Sequence, residues 1–189
     1  MYSRASDSIW SAEFLYEEEQ VGVKFLKPLP VFKIGDLQFG PCVEGALLRM
    51  PLWAARLLES EGILTIQPEE GEQLNPGELS KLSWKEERNE ALALLPPNFY
   101  PKLRNLLTSL NDGMKKNPTH ATLSEQRQAF MKAKDLINCR LQKILRLSFE
   151  RNPPKQVLDS LQPEERSLFG VLRLEVESWR ERILSEKAE

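Results

Sequence analysis

The stretch from Thr122 to Arg151 most constrains what this chain can fold into. It contains no Gly or Pro, and Pro153 and Pro154 follow it. That predicts one helix of about 28 residues, roughly 40 Å long at about 1.5 Å per residue. Thr122 followed three positions later by Glu125 reads as a capping box at its start. The paired prolines stop it. Leu123, Phe130, Ala133, Ile137, Leu141, Ile144 and Ser148 recur at spacings of three, four and seven. A second line, Ala129, Leu136, Ile137, Leu145 and Phe149, widens the apolar face. So wide a stripe needs neighbours on two sides, not one partner in a two-stranded coiled coil.

The other segments must supply those neighbours, and 189 residues suffice for one core or two small ones. The composition, 41% hydrophobic and 29% charged, is that of an ordinary soluble protein. No apolar run approaches the roughly 20 residues of a membrane span. Met1 to Trp10 lacks the apolar core of a signal peptide. Cys42 and Cys139 read as small core residues of an intracellular protein, not as a bridge. The net charge of -2 does not advertise nucleic-acid binding. It hides an asymmetry: residues 1–75 hold 6 basic and 12 acidic residues, residues 76–189 hold 20 and 16. Two units with different surfaces are expected.

The period of the apolar residues divides the chain in the same way. Ile9, Trp10, Phe14 and Leu15, followed by the acids Glu17 to Glu19, suit a short helix or arm, tucked on its own domain or reaching a partner. Val21, Val23 and Phe25 then alternate as a half-buried strand. Val31 to Ile34, Leu37 to Phe39 and Ala46 to Arg49 read as further strands, with turns at Lys27 to Pro30, Gly35-Asp36 and Gly40-Pro41. Pro51 opens a helix over Leu52 to Glu61 that buries Trp53, Ala54, Leu57 and Leu58. Gly62 ends it, and Ile63 to Ile66 closes the sheet. Gln67 to Pro76, with Glu69, Glu70 and Glu72, is the boundary.

Beyond it the sequence is all helical. Asn75, Pro76 and Glu78 start a helix running toward Leu94, and Asn98 caps the next, whose stripe is Phe99, Leu103, Leu106, Leu107, Leu110 and Met114. A short piece at Val157 to Leu161 precedes a last helix opened by Pro163, with Leu168, Leu172, Val176, Trp179 and Ile183 as its stripe. The fold class is α+β: a small N-terminal β-rich domain with one helix, residues 1–70, then an all-α helical bundle, residues 71–189.

Chemistry is conspicuous by its absence. Neither glycine fingerprint for a nucleotide occurs, and Gly35 and Gly40 read as turn glycines. One histidine and two remote cysteines do not form a zinc pattern, so no metal or cofactor is expected. His120 sits in a turn without a nucleophile beside it, and the acidic runs lack the rigid, desolvated setting of catalytic carboxylates. The chain is not expected to be an enzyme. Lys132, Lys134, Arg140, Lys143 and Arg146 stud the long helix without sharing one face, so solvated surface is the plain reading, with an interface rim or phosphate contact as alternatives. Trp53, Trp84, Phe99, Phe130, Phe149, Phe169 and Trp179 are core by default. Even so, the helical part carries more apolar face than it can bury internally, which points to contact between chains.

Two motifs carry a family resemblance. Glu44-Gly45-Ala46-Leu47-Leu48-Arg49-Met50-Pro51-Leu52-Trp53-Ala54-Ala55-Arg56-Leu57-Leu58, followed by Glu61-Gly62-Ile63, resembles the small "B" domain of GINS subunits, whose pattern there is Pro-Leu-Trp-x-Ala-x-x-Leu. Leu95 to Arg104, with Leu95-Pro96 and Phe99-Tyr100, is similar to the lead-in to the helices of the central "A" domain; the double proline Pro96-Pro97 before Asn98, where an acid is common, is a departure from it. With the small domain first, the chain resembles the archaeal subunit that stands in for eukaryotic subunits two and three.

The resemblance implies a non-catalytic scaffold of DNA replication, cytoplasmic and nucleoid-associated. It would assemble as a heterotetramer with a paralogue of reversed domain order, two copies of each. It would link the MCM helicase to a RecJ-like nuclease-related protein, with primase or polymerase contacts and weak or indirect contact with DNA. Trp53 and Leu57 would anchor the small domain's helix. Phe99, Leu103, Phe130, Leu141, Leu172, Val176 and Trp179 would build the helical core or its subunit seams. A basic helical module that binds nucleic acid directly is the competing reading.

Overall fold

A computed structural model describes residues 4–34, 37–67 and 73–185. The Gly35-Asp36 turn and Glu69, Glu70 and Glu72 lie outside the described residues. The class is α+β, and among the described residues every strand lies between Gln20 and Ile66. The chain divides into two compact units. One comprises Glu13–Gln73; the other joins the described residues up to Ala12 with those from Leu74 onward. The first helix, α1 (Arg4–Glu17), spans the division, so its beginning groups with the helical residues.

The smaller unit is built on β1 (Gln20–Phe25), the centre of an antiparallel sheet. It pairs with β4 (Leu47–Pro51) on one side and β5 (Leu64–Ile66) on the other, giving the order β4-β1-β5. The expected alternation holds, with Val23 and Phe25 buried and Lys24 exposed. β2 (Phe32–Ile34) and β3 (Leu37–Phe39) form a separate ladder, its Phe32 and Phe39 rings stacked at 5.2 Å. One helix, α2 (Leu52–Ser60), covers the core of Val23, Phe25, Cys42, Met50 and Leu64. It buries Leu52, Ala54, Ala55 and Leu58, with Trp53 half-buried against the cluster. Leu57 is not the anchor expected of it: it lies outside the arc these residues define and is 52% exposed. The small side chains Ala54 and Ala55 take the facing positions and are fully buried. Gly62 leaves the helix at φ 65, the left-handed conformation expected of a helix-ending glycine.

In the larger unit, α3 (Pro76–Arg88), α4 (Phe99–Lys116), α5 (His120–Ser148) and α7 (Pro163–Leu184) form the bundle, with the short α6 (Lys155–Asp159) before the last. Asn75 and Glu78 make the expected reciprocal cap of α3. Three boundaries differ from expectation. The long helix starts earlier, because Thr119 caps it with Thr122 as the reciprocal partner, which makes His120 its first residue. Asn98 precedes α4 in the left-handed region, φ 54, and its side chain does not cap the helix. Finally, α3 stops at Arg88 rather than near Leu94, for a reason that lies in the buried charges.

Two apolar cores fill the bundle. Leu79, Leu95, Phe99, Leu103, Ala129, Ala133 and Leu136 form one; Leu92, Ile144, Leu147, Leu161 and Phe169 form the other. The buried line of α5 is therefore Ala129, Ala133, Leu136, Arg140, Ile144, Leu147 and Ser148. Ala129, Ala133, Leu136, Ile144 and Ser148 of the predicted face are buried, but Arg140 and Leu147 complete the line, and Leu123, Phe130, Leu145 and Phe149, at the flanks of that wide face, are exposed. Cys42 and Cys139 are free thiols, the first buried and the second half-buried. Among the described residues no helix is long and apolar enough to cross a membrane.

Two glycines give a test of opposite sign. A Cβ on Gly40, at φ 83, would lie 2.7 Å from the Pro30 carbonyl oxygen; one on Gly113, inside α4, would meet nothing within 4 Å. Gly40→Ala should lower unfolding stability by about 1–3 kcal/mol. Gly113→Ala should raise it by about 0.5–1 kcal/mol. Urea titration of both variants checks the pair.

Candidate functional site

Arg140 lies at the middle of α5 on its buried line, and none of its side chain reaches solvent. A lone buried guanidinium would be prohibitive, so partners must converge on it. Its Nε and one η nitrogen donate to the two carboxylate oxygens of Glu165, the latter at 2.7 Å. The other η nitrogen donates to Glu86 at 2.8 Å and to the Ala93 carbonyl at 2.8 Å. This forked geometry is available to arginine and not to lysine. Both carboxylates are buried as well.

Each acid is held by its own element. Glu86 follows Leu79 and Ser83 along the buried side of α3. It also accepts from Lys143 and, at 3.0 Å, from the Ala93 backbone N–H. Glu165 sits in the first turn of α7, where the helix dipole favours a negative charge. It accepts the Gln162 backbone N–H at 2.9 Å and the Tyr100 hydroxyl at 2.6 Å. Burial, then the Glu165 charge, pushes the Tyr100 phenol well above its ordinary value of 10.0. Burial works against the Arg140 charge, but hydrogen bonding to Glu165 and the charges of Glu165 and Glu86 outweigh it and raise its affinity for the proton.

The same charges explain the early end of α3. Lys143 donates to the carbonyls of Glu86 and Ala91, Arg140 to that of Ala93, and Glu86 takes the Ala93 N–H. The backbone after Arg88 is thus satisfied by side chains instead of by another helical turn. Leu92, Ala93 and Leu95 are buried, while Leu94 is 70% exposed.

This arrangement corrects the reading of the basic residues. Arg140 is core, and Lys143 is bound to Glu86 with little exposure, so neither belongs to a solvated or phosphate-binding surface. Among the described residues, no group of three or more His, Cys, Asp or Glu side chains is placed to hold a metal ion.

The expected site residues fall into three sets. Phe99 and Leu103 are buried in the first core. Leu141, Leu172 and Val176 are half-buried, Leu141 beside Ile137, Ile144 and Leu168 on a cavity of about 250 Å³. Phe130 and Trp179 are exposed, at 53% and 64%. Trp84, expected in the core, is also outside, with the Arg88 guanidinium 4.3 Å above its ring. Leu174, Ile183 and Leu184 of α7 are exposed as well. Sequence reasoning missed Glu86, Arg140 and Glu165 as a unit. The available signal was register: Arg140 keeps step with Leu136 and Ile144, and Glu86 with Leu79 and Ser83.

Residues 73–184 match the GINS complex protein helical bundle domain, Sld5. The bundle and this match together define a helical subunit of a protein complex. The match takes in more than half of the chain, and the chain belongs to the GINS family, whose complex acts in DNA replication and whose subunits are in general non-catalytic scaffolds. No curated protein matches it.

Two measurements test the buried charges. Arg140→Met strands two carboxylates and should cost about 3–5 kcal/mol of stability, against at most about 0.5 kcal/mol for Lys134→Met on the exposed side of the same helix. The raised Tyr100 value fixes a sign: its contribution is complete below pH 10.0 and is lost as pH rises beyond it, because the unfolded chain releases the phenolic proton first. In denaturant titrations, stability should fall more steeply above that pH than in Tyr100→Phe, by up to about 1.4 kcal/mol per pH unit.

Proposed function

We propose that this chain is the GINS subunit whose small "B" domain, residues 1–70, precedes its helical "A" domain, residues 71–189. It assembles with a paralogue of reversed domain order, two copies of each, into an archaeal-type heterotetramer. The order of the two regions and the Pro51-Leu52-Trp53 motif support this assignment. In that complex it is a helicase accessory scaffold, linking the MCM helicase to a RecJ-like nuclease-related protein, with primase or polymerase as further contacts. The family resemblance supports these partners.

The observation that carries the assembly reading is the set of large apolar side chains left outside both helical cores. Phe130, Phe149, Leu174, Trp179 and Ile183 are each more than half exposed. A subunit interface removes such surface from water at about 25 cal/mol per Å², and tryptophan is prominent among residues that dominate binding. Direct DNA binding through α5 is disfavoured, because Arg140 and Lys143 already neutralise carboxylates of this chain.

Co-expression with a reversed-order paralogue should give a complex whose mass corresponds to two copies of each chain. Trp179→Ala should weaken assembly by about 2 kcal/mol, roughly thirtyfold, whereas Lys116→Ala should leave it unchanged. A stable monomer indifferent to the paralogue would overturn the reading.

A further inference from the structure

We propose that the exposed face of α3 is a docking site for an acidic amphipathic helix of another protein. That helix sets carboxylates against Lys81, Lys85 and Arg88 and one large aliphatic side chain against Trp84. The proposal concerns a surface of α3 and does not rest on the assembly residues named above.

Residue spacing defines the face. Leu79, Ser83 and Glu86 mark the buried side of α3. Lys81, Trp84, Lys85 and Arg88 fall on the opposite side, within an arc of about 100°. All four are exposed. Arg88 lies over the Trp84 ring, 4.3 Å from its centroid. The two side chains therefore order one another into a single plate, half aromatic and half charged.

The acids of α3 are committed elsewhere. Glu78 closes the N-terminal cap with Asn75. Glu86 is buried on Arg140 and Lys143. Glu87 accepts from Ser83 at 3.2 Å and lies 4.0 Å from Lys132. Beyond the helix, Glu90 lines a hollow with Lys143 and Arg146. Among the described residues, Lys81, Lys85 and Arg88 have no ion-pair partner. Lys81 and Lys85 stand four apart, and Lys85 and Arg88 three apart. Like charges at those spacings weaken a helix. The face is thus cationic at a cost to α3, and only a group from outside balances it.

Spacing and number select the occupant. The three cations follow one another at about 6 and 4.5 Å along the axis. Carboxylates on one face of a second helix repeat at those intervals, whereas same-face residues of a strand recur at about 6.8 Å. Nucleic acid fits less well. Its affinity scales with the phosphates neutralised, about 6–10 in a strong binder, and this face supplies Lys81, Lys85 and Arg88 alone. The Trp84 ring is also covered on one side by Arg88, which leaves a base at most the other. Tryptophan and arginine are the side chains that dominate protein interfaces, within a polar rim. Trp84 and Arg88 flanked by two lysines match that plan.

The probe is a fluorescein-labelled, alanine-based helical peptide of about 18 residues. It carries glutamates at the spacing of Lys81, Lys85 and Arg88 and a leucine at that of Trp84. Titrated with the full chain and followed by anisotropy, it should bind with a Kd of about 100 μM at low salt and lose affinity as salt rises. Lys85→Glu and Trp84→Ala should each weaken binding about tenfold, with unchanged circular dichroism because both sites are exposed. Lys134→Glu, exposed on α5, should change it by less than about twofold. Replacing the middle glutamate of the peptide by lysine should restore binding to the Lys85→Glu chain. A peptide of the same composition with its glutamates dispersed around the helix should bind about tenfold more weakly. No saturable binding by the parent chain, equal binding by the dispersed peptide, indifference to Lys85→Glu, or tighter binding of an oligothymidylate of equal charge would overturn the proposal.

Discussion

Arg140 carries a full charge into a place that water does not reach, and the helical unit is arranged around meeting that demand. Glu165 reaches it from the first turn of α7 and Glu86 from α3, while Tyr100 of α4 adds its hydroxyl to Glu165. Four helices and the segment after α3 therefore meet at one hydrogen-bonded cluster. An apolar cluster of similar volume would stabilise the bundle as well or better, since desolvating three charges offsets much of their attraction. What the charges add is geometry. An arginine fork accepts carboxylates from few directions, so the rotation of α5 and the depth at which α7 begins are both specified.

That rotation determines which apolar residues are left outside. With Arg140 inward, Ala129, Ala133, Leu136 and Ile144 share its side of α5, and Phe130, Leu145 and Phe149 turn away. The small residues Ala129 and Ala133 let α3 and α4 approach closely, so the bundle closes on thin side chains and leaves bulky ones at the surface. This division suits a subunit whose contacts with other chains are part of its stability. The β-rich unit follows a similar economy, with alanines rather than Leu57 facing the sheet.

Much of this is legible in the sequence. The strands, the helix at Leu52, the capped start at Asn75 and the last helix at Pro163 all follow from period and punctuation, because those signals are local. The register of α5 was legible only in part: Ala129, Ala133, Leu136, Ile144 and Ser148 of the expected face are buried, but the charged residue among them was not foreseen. Hydropathy treats arginine as a surface residue, so a stripe chosen from apolar letters slips past Arg140 and takes in Phe130 and Leu141 instead. The end of α3 was hidden for a related reason. Nothing between Arg88 and Leu94 breaks a helix by propensity; the backbone leaves it because Glu86, Arg140 and Lys143 satisfy its amides and carbonyls from a distance. Both misreadings are cases of tertiary structure overriding a local preference.

The order in which the partners of Arg140 occur along the chain has a consequence for synthesis. Glu86 precedes it by 54 residues and Glu165 follows it by 25. A nascent chain that has released α3, α4 and α5 from the ribosome holds this arginine with only one of its two acids. The dry centre of the bundle can be sealed only once the first turn of α7 has emerged. Release of the first turn of α7 thus completes the charge balance, and the helical unit cannot reach its final form before that turn has emerged.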